Sequence, residues 1–243
     1  MIEQPSSRWP WIMLFSRISL FIGIQALFAL GFLLVGSSIA WESSANWWPF
    51  SVTLANCICV VLLIRLFNQD GKRFWDIFRI QKEHFKSDLL ALLGLLIILG
   101  PVSYFPNVWL GGFLFGDPQR SLDLLVRPLP LWAAYAGLVL FPVTQGLAEL
   151  STYFAYVMPK FETQGMRRWL AVTIPSLLLG FQHIGVPFLF NSSYLIWRGL
   201  MFIPFAFLVG IVLRWRPRML PYLAAIHVLM DMAFAAMYLG VAY

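Results

Sequence analysis

Residues 131–157 read LWAAYAGLVLFPVTQGLAELSTYFAYV. The run is long enough to cross a bilayer as a helix, because about 20 apolar residues rising 1.5 Å each span the hydrocarbon. It holds one acidic residue, Glu149, and no basic one. An ionisable group in that setting costs from about 3 to more than 10 kcal/mol, so a chain keeps one where it pairs or works. Three more stand inside comparable stretches: His183, His227 and Asp231. Every other Asp, Glu and His falls in an expected loop or at an expected helix end. These four residues therefore mark one buried polar cluster.

The rest of the chain agrees with a membrane setting. It has 243 residues, of which 60% are hydrophobic and 12% charged, and its mean hydropathy is +0.77. Soluble domains carry about 25% charged residues, so the composition indicates an all-α, polytopic membrane helix bundle. Apolar stretches at about 17–40, 51–67, 88–109, 131–157, 169–190, 196–213 and 219–240 give seven expected spans in a single domain, 1–243. With the N-terminus cytoplasmic and the C-terminus outside, all but three of the 17 Lys and Arg face the cytoplasm. The exceptions are Arg120, Arg127 and Arg198, and the asymmetry follows the positive-inside rule. In this reading Arg17 is an inner flanking residue of the first span. The net charge of +6 then belongs to membrane-flanking loops and implies a lipid bilayer as partner, not nucleic acid.

Trp41, Trp47 and Trp48 cluster in the first outer loop. Trp109, Trp132, Trp169, Trp197 and Trp215 fall at span ends, as an interfacial aromatic belt requires. Residues 72–86, KRFWDIFRIQKEHFK, place Phe74, Trp75, Ile77, Phe78 and Phe85 against Lys and Arg, which predicts one interfacial amphipathic helix containing His84. Residues 111–130 carry Gly and Pro punctuation and predict an outer loop dipping to the membrane surface. Cys57 and Cys59, two apart in an apolar run, point in different directions on a helix and read as small apolar residues.

The cluster lies at one depth. At 1.5 Å per residue, Glu149 is roughly 16 Å from the end marked by Lys160 and His183 roughly 21 Å from Trp169. His227 and Asp231 are roughly 12 and 18 Å from Met219. His227 and Asp231, spaced i,i+4, share a helix face. Gln145, Thr152, Tyr153 and Tyr156 add a polar stripe around Glu149, while Gln182 is expected to face away from His183. Such a set can activate water, bind a divalent metal, relay protons or a cation as a carrier does, or knot three helices together.

Three short motifs resemble those of the CPBP family, the intramembrane proteases that include type II CAAX prenyl endopeptidases and bacterial Abi proteins. That family carries Glu-Glu-x-x-x-Arg, Phe-x-x-x-His and His-x-x-x-Asn or Asp in three helices. Here the corresponding stretches are ELSTYFAYV (149–157), LGFQH (179–183) and HVLMD (227–231). The resemblance covers about 88–240. The third motif is intact. Leu179 replaces the Phe of the second, and Leu150 and Phe154 stand where the first has its second Glu and its Arg. The resemblance implies an intramembrane endopeptidase acting on a peptide or membrane-protein substrate, in a bacterial inner membrane. Glu149 and His183 would activate the hydrolytic water. His227 and Asp231 would stabilise the oxyanion, Asp231 only if protonated or paired with His227. Gln145 and Tyr153 would support Glu149, Tyr153 in part replacing the absent Arg. Glu149, His183 and His227 would also make a zinc site, and a metal-free water mechanism uses the same residues. The lost Arg and Glu equally suit a CPBP-like pseudoprotease acting as a membrane binding or immunity protein. A proton-coupled carrier ranks last, since no inverted repeat is seen.

Overall fold

The computed structural model describes residues 8–243. They form an all-helical bundle: α1 (Trp9–Leu34), α2 (Ala40–Asn46), α3 (Trp48–Gln69), α4 (Phe85–Phe115), α5 (Pro118–Leu125), α6 (Leu131–Leu150), α7 (Met158–Thr163), α8 (Arg168–Phe181), α9 (Ser192–Leu200), α10 (Ile203–Trp215) and α11 (Leu220–Ala235). Prolines occupy the first turns of α1, α3, α5, α10 and α11, where a missing N–H leaves no bond unmade. Asp117 and Asn191 cap α5 and α9 by accepting from Gln119 N and Tyr194 N. Gly116 ends α4 at φ 76°, a conformation that glycine adopts freely.

Among the described residues, six helices are long and apolar enough to cross a membrane, which fits an integral membrane protein. The expected span 169–190 is not among them. Its helix, α8, has 14 residues and rises about 21 Å, less than the hydrocarbon core of about 30 Å. Beyond it come a 3₁₀ turn, Gln182–Gly185, and irregular chain. Irregular backbone is tolerated at membrane depth only where protein satisfies it, and here buried side chains do so. Gln25 of α1 donates to Phe188 O at 2.9 Å and accepts from Phe188 N at 2.8 Å. Trp41 Nε1 donates to the same carbonyl, and Arg198 donates to Val186 O.

Several sequence expectations need correction. Residues 72–86 do not form one amphipathic helix. Two 3₁₀ turns, Phe74–Phe78 and Lys82–His84, lead into α4. Phe74 is buried against Phe67 and Phe78, so packing of that one ring overrides the local helical pattern. The stretch 111–130 is only partly a loop: α4 runs on to Phe115, and α5 buries Ser121 and Leu125. Trp48 and Trp197 are core residues whose indoles donate to Leu125 O and to Asn107; Trp109, Trp132, Trp169 and Trp215 remain exposed as expected. Arg17 and Arg198 are not flanking residues but are buried.

The chain after α6 continues as a π-helical segment, Ser151–Val157, before α7. Its widened turn lets Tyr153, Phe154, Tyr156 and Val157 all be buried, and such segments concentrate at functional sites. Two apolar clusters form the core. One gathers Met13, Leu63, Leu150, Phe161, Val209 and Leu223. The other gathers Phe21, Val52, Phe141, Val186, Trp197 and Tyr238. On α1 the order runs Leu14, Arg17, Phe21; on α6, Phe141, Gln145, Glu149, Leu150; on α11, Leu223, His227, Asp231, Ala235. The polar residues thus form a layer between the two clusters.

Candidate functional site

The layer is organised by Arg17, which lies two turns inside α1 and is fully buried. Its Nε donates to Gln182 Oε1 at 2.6 Å, Nη1 to Asn56 Oδ1 at 2.7 Å and Nη2 to Gln145 Oε1 at 2.8 Å. The two glutamines pass the interaction on: Gln145 Nε2 and Gln182 Nε2 each donate to Glu149 Oε2 at 2.6 Å. Arg17 Nη2 also lies 3.5 Å from Glu149 Oε2. Guanidinium only donates and carboxylate only accepts, so both amides have one permitted orientation. Asn56 Nδ2 donates to Gln145 Oε1 at 3.0 Å, and Tyr153 OH donates to Gln182 Oε1 at 3.2 Å. The Glu149 carboxylate is therefore held through one oxygen by groups from α1, α6 and the end of α8.

Its other oxygen faces α11. Glu149 Oε1 lies 3.6 Å from His227 Nε2, and the same nitrogen lies 3.4 Å from Asp231 Oδ2. These separations are somewhat longer than ordinary hydrogen bonds. His227 Nδ1 and Asp231 Oδ2 have no hydrogen-bond partner among the described residues. Native proteins rarely leave buried polar atoms so. His183 Nδ1 lies 3.1 Å from Gly180 O. Since a carbonyl accepts, Nδ1 carries the proton and Nε2 is left as an acceptor. The His183 ring packs on Phe202, centroids 4.5 Å apart.

Glu149, His183, His227 and Asp231 all line one cavity of about 180 Å³, room for several waters. The four residues singled out in the sequence are thus brought together. Gln145 touches Glu149 directly, as expected of a supporting residue. Tyr153 reaches it only through Gln182. Gln182 does not face away from His183: it opens the 3₁₀ turn, and both side chains line the cavity. The zinc set Glu149, His183 and His227 is not formed. No three His, Cys, Asp or Glu side chains among the described residues make a metal-holding group. Glu149 Oε2 is already engaged by two amides, and the third expected ligand, His183, has neither a hydrogen bond nor an ion pair to the carboxylate.

Arg17, Asn56 and Gln182 were not among the expected site residues. The signal for Arg17 was Pro10, which fits the first turn of a helix and starts α1 at Trp9 instead of Arg17. Asn56 and Gln182 are amides inside apolar runs, a weaker signal than an ionisable group. No protein-family model, curated protein or solved structure matches this chain.

Proposed function

We propose that this protein is an intramembrane endopeptidase whose water is activated by Glu149 and His183, the reading that its three CPBP-like motifs suggest. The observation that carries it is the shared cavity, with Glu149 Oε1 facing His227 Nε2 at 3.6 Å. His183 Nε2 and Glu149 Oε1 are both acceptors, and together they orient one water. Glu149 takes a proton as the water oxygen attacks the scissile carbonyl carbon. The carbonyl oxygen becomes an oxyanion that His227 Nε2–H and a protonated Asp231 stabilise. Glu149 then passes the proton to the leaving nitrogen as the C–N bond breaks. Arg17 replaces, from another helix, the arginine that Phe154 displaces from the first motif. The basic loops favour a cytoplasmic N-terminus. The reaction as written needs no group beyond these side chains.

The test uses the protein in lipid nanodiscs with solubilised host membrane proteins, followed by labelling of new N-termini. New termini are expected with the wild type and lost, by at least about 100-fold as for other general bases, with Glu149→Gln and with His183→Ala. EDTA is expected to leave them unchanged. The same termini from Glu149→Gln would overturn the reading. A second reading, a peptide-binding pseudoprotease, is favoured by the full engagement of Glu149 Oε2 in helix-to-helix bonds. It predicts a phenotype on deleting the protein that His183→Ala, which leaves those bonds intact, rescues fully.

A further inference from the structure

The cavity has a second polar feature that the hydrolytic reading does not use. Arg198, in the last turn of α9, is 4% exposed and lines the cavity. Its Nε and Nη2 both donate to Val186 O, at 3.1 and 2.7 Å, and its guanidinium stacks 5.6 Å from the Trp197 ring centroid. Nη1 has no hydrogen-bond partner among the described residues. None of the described ion pairs includes Arg198. Clamping the Val186 carbonyl explains two donors, but a carbonyl does not cancel a charge. The acid that acts on Arg198 across the cavity, Glu149, is already paired with Arg17, and a buried charge with no ion-pair partner of its own is costly.

Asn107 of α4 lines the same cavity. Trp197 Nε1 donates to its Oδ1 at 2.9 Å and to its backbone carbonyl at 3.1 Å. Because an indole N–H can only donate, the amide oxygen must face it, and Nδ2 is turned away with two protons to give. Nδ2 has no acceptor among the described residues. Two donors without acceptors thus flank Trp197, and the cavity they line is also lined by Leu122, Leu125, Val186 and Met201.

We propose that this end of the cavity binds a carboxylate carried on an apolar ligand, received by Arg198 Nη1 and Asn107 Nδ2. If the cavity is the peptidase chamber, which is the reading this assignment extends, the substrate bears an acidic group beside the bond that is cut. The carboxylate has two sources, an acidic residue in an apolar peptide or the head of a fatty acid, and the experiment separates them.

Binding is measured on the detergent-solubilised His183→Ala protein, so that no turnover enters and the Arg17–Glu149 pair stays intact. One probe pair is an N-acetylated, C-amidated leucine peptide with one central glutamate, against the same peptide with glutamine. The other is dodecanoate against dodecanamide. The acidic member of one pair is expected to bind about tenfold tighter or more, as a charge-assisted hydrogen bond allows. The pair that discriminates names the source. Arg198→Gln and Asn107→Leu are each expected to erase the difference, and Arg198→Lys to keep most of it. A purely structural Arg198 would lower stability without changing the charge preference. Should Arg198→Gln fail to fold, Asn107→Leu carries the test alone. Equal binding within both pairs, or discrimination surviving in Asn107→Leu, overturns the proposal. Charge-selective binding in a protein that makes no new termini would sink the peptidase reading and leave this site standing.

Discussion

At the scale of single residues, the buried charges on Arg17 and Glu149 depend on each other. Removing one partner of such a pair leaves the other uncompensated and costs about 3–5 kcal/mol, while replacing both by apolar or neutral groups is often neutral. Arg17→Met is therefore expected to lower the thermal midpoint in detergent sharply, and Arg17→Met with Glu149→Gln to recover most of it. Neither variant should cleave. If the double variant stays as unstable as the single one, the guanidinium works through Gln182 and Asn56 and not through the carboxylate. The four titratable residues were legible because each is costly in lipid and stands out against apolar neighbours. Arg17 was not, because a basic residue near the start of an apolar run reads equally well as a flank. Asn56, Gln25 and Gln182 were hidden for another reason. An amide carries no charge, so its price in an apolar run is low enough to pass unnoticed, and only the fold shows what it bonds.

At the scale of elements, close helix contacts set the site's dimensions. A Cβ added at Gly146 of α6 would collide with Val228 Cγ2 and sit 3.2 Å from Ala224 O on α11. Gly146 is three residues before Glu149, and Val228 follows His227, so this contact fixes the gap between carboxylate and imidazole. Gly146→Ala is expected to push α11 away, cost about 1–3 kcal/mol as overpacking does, and reduce cleavage more than stability. A thermal midpoint that falls while the rate of cleavage is unchanged would show that the gap tolerates movement. Gly180, with Ile203 Cα 3.1 Å from the added Cβ, holds α8 to α10 in the same way and so places His183. Apolar runs gave the long helices because lipid and length dictate them. The breaks did not show: the π segment 151–157, the end of α8 at Phe181 and the 3₁₀ turns at 74–84 depend on which side chains find partners across the bundle. The amphipathic pattern of 72–86 was real, yet one buried ring, Phe74, outweighed it.

At the scale of the whole molecule, the cavity reaches from Glu149 towards α5, past Trp48, Asn107 and Leu125. That is the end away from the basic loops, so under the proposed peptidase reading a substrate would meet the site from the bilayer or from the opposite face. On that reading the wall formed by α4 is the expected entrance. Its apolar window is the least buried of the six spanning helices. It is tied to the bundle at two places, by Asp88 to Arg218 at 2.8 Å and by Asn107 to Trp197. Between them lie Pro101 and Pro106, each of which removes a backbone donor and weakens the helix locally. Ser103 of α4 and Met230 of α11 both line the cavity there, and Met230 is 39% exposed. If a peptide enters between α4 and α11, tying these positions together must shut the site without disturbing its chemistry. The pair Ser103→Cys and Met230→Cys, in a background with the exposed Cys57 changed to serine, is joined with a bismaleimide containing a disulfide. Cleavage is expected to fall to background on bridging and to return when the linker is reduced, with each single cysteine far less affected. Undiminished cleavage in the bridged protein would place the entrance elsewhere, beside α5, where Leu122 and Leu125 close the opposite end of the cavity.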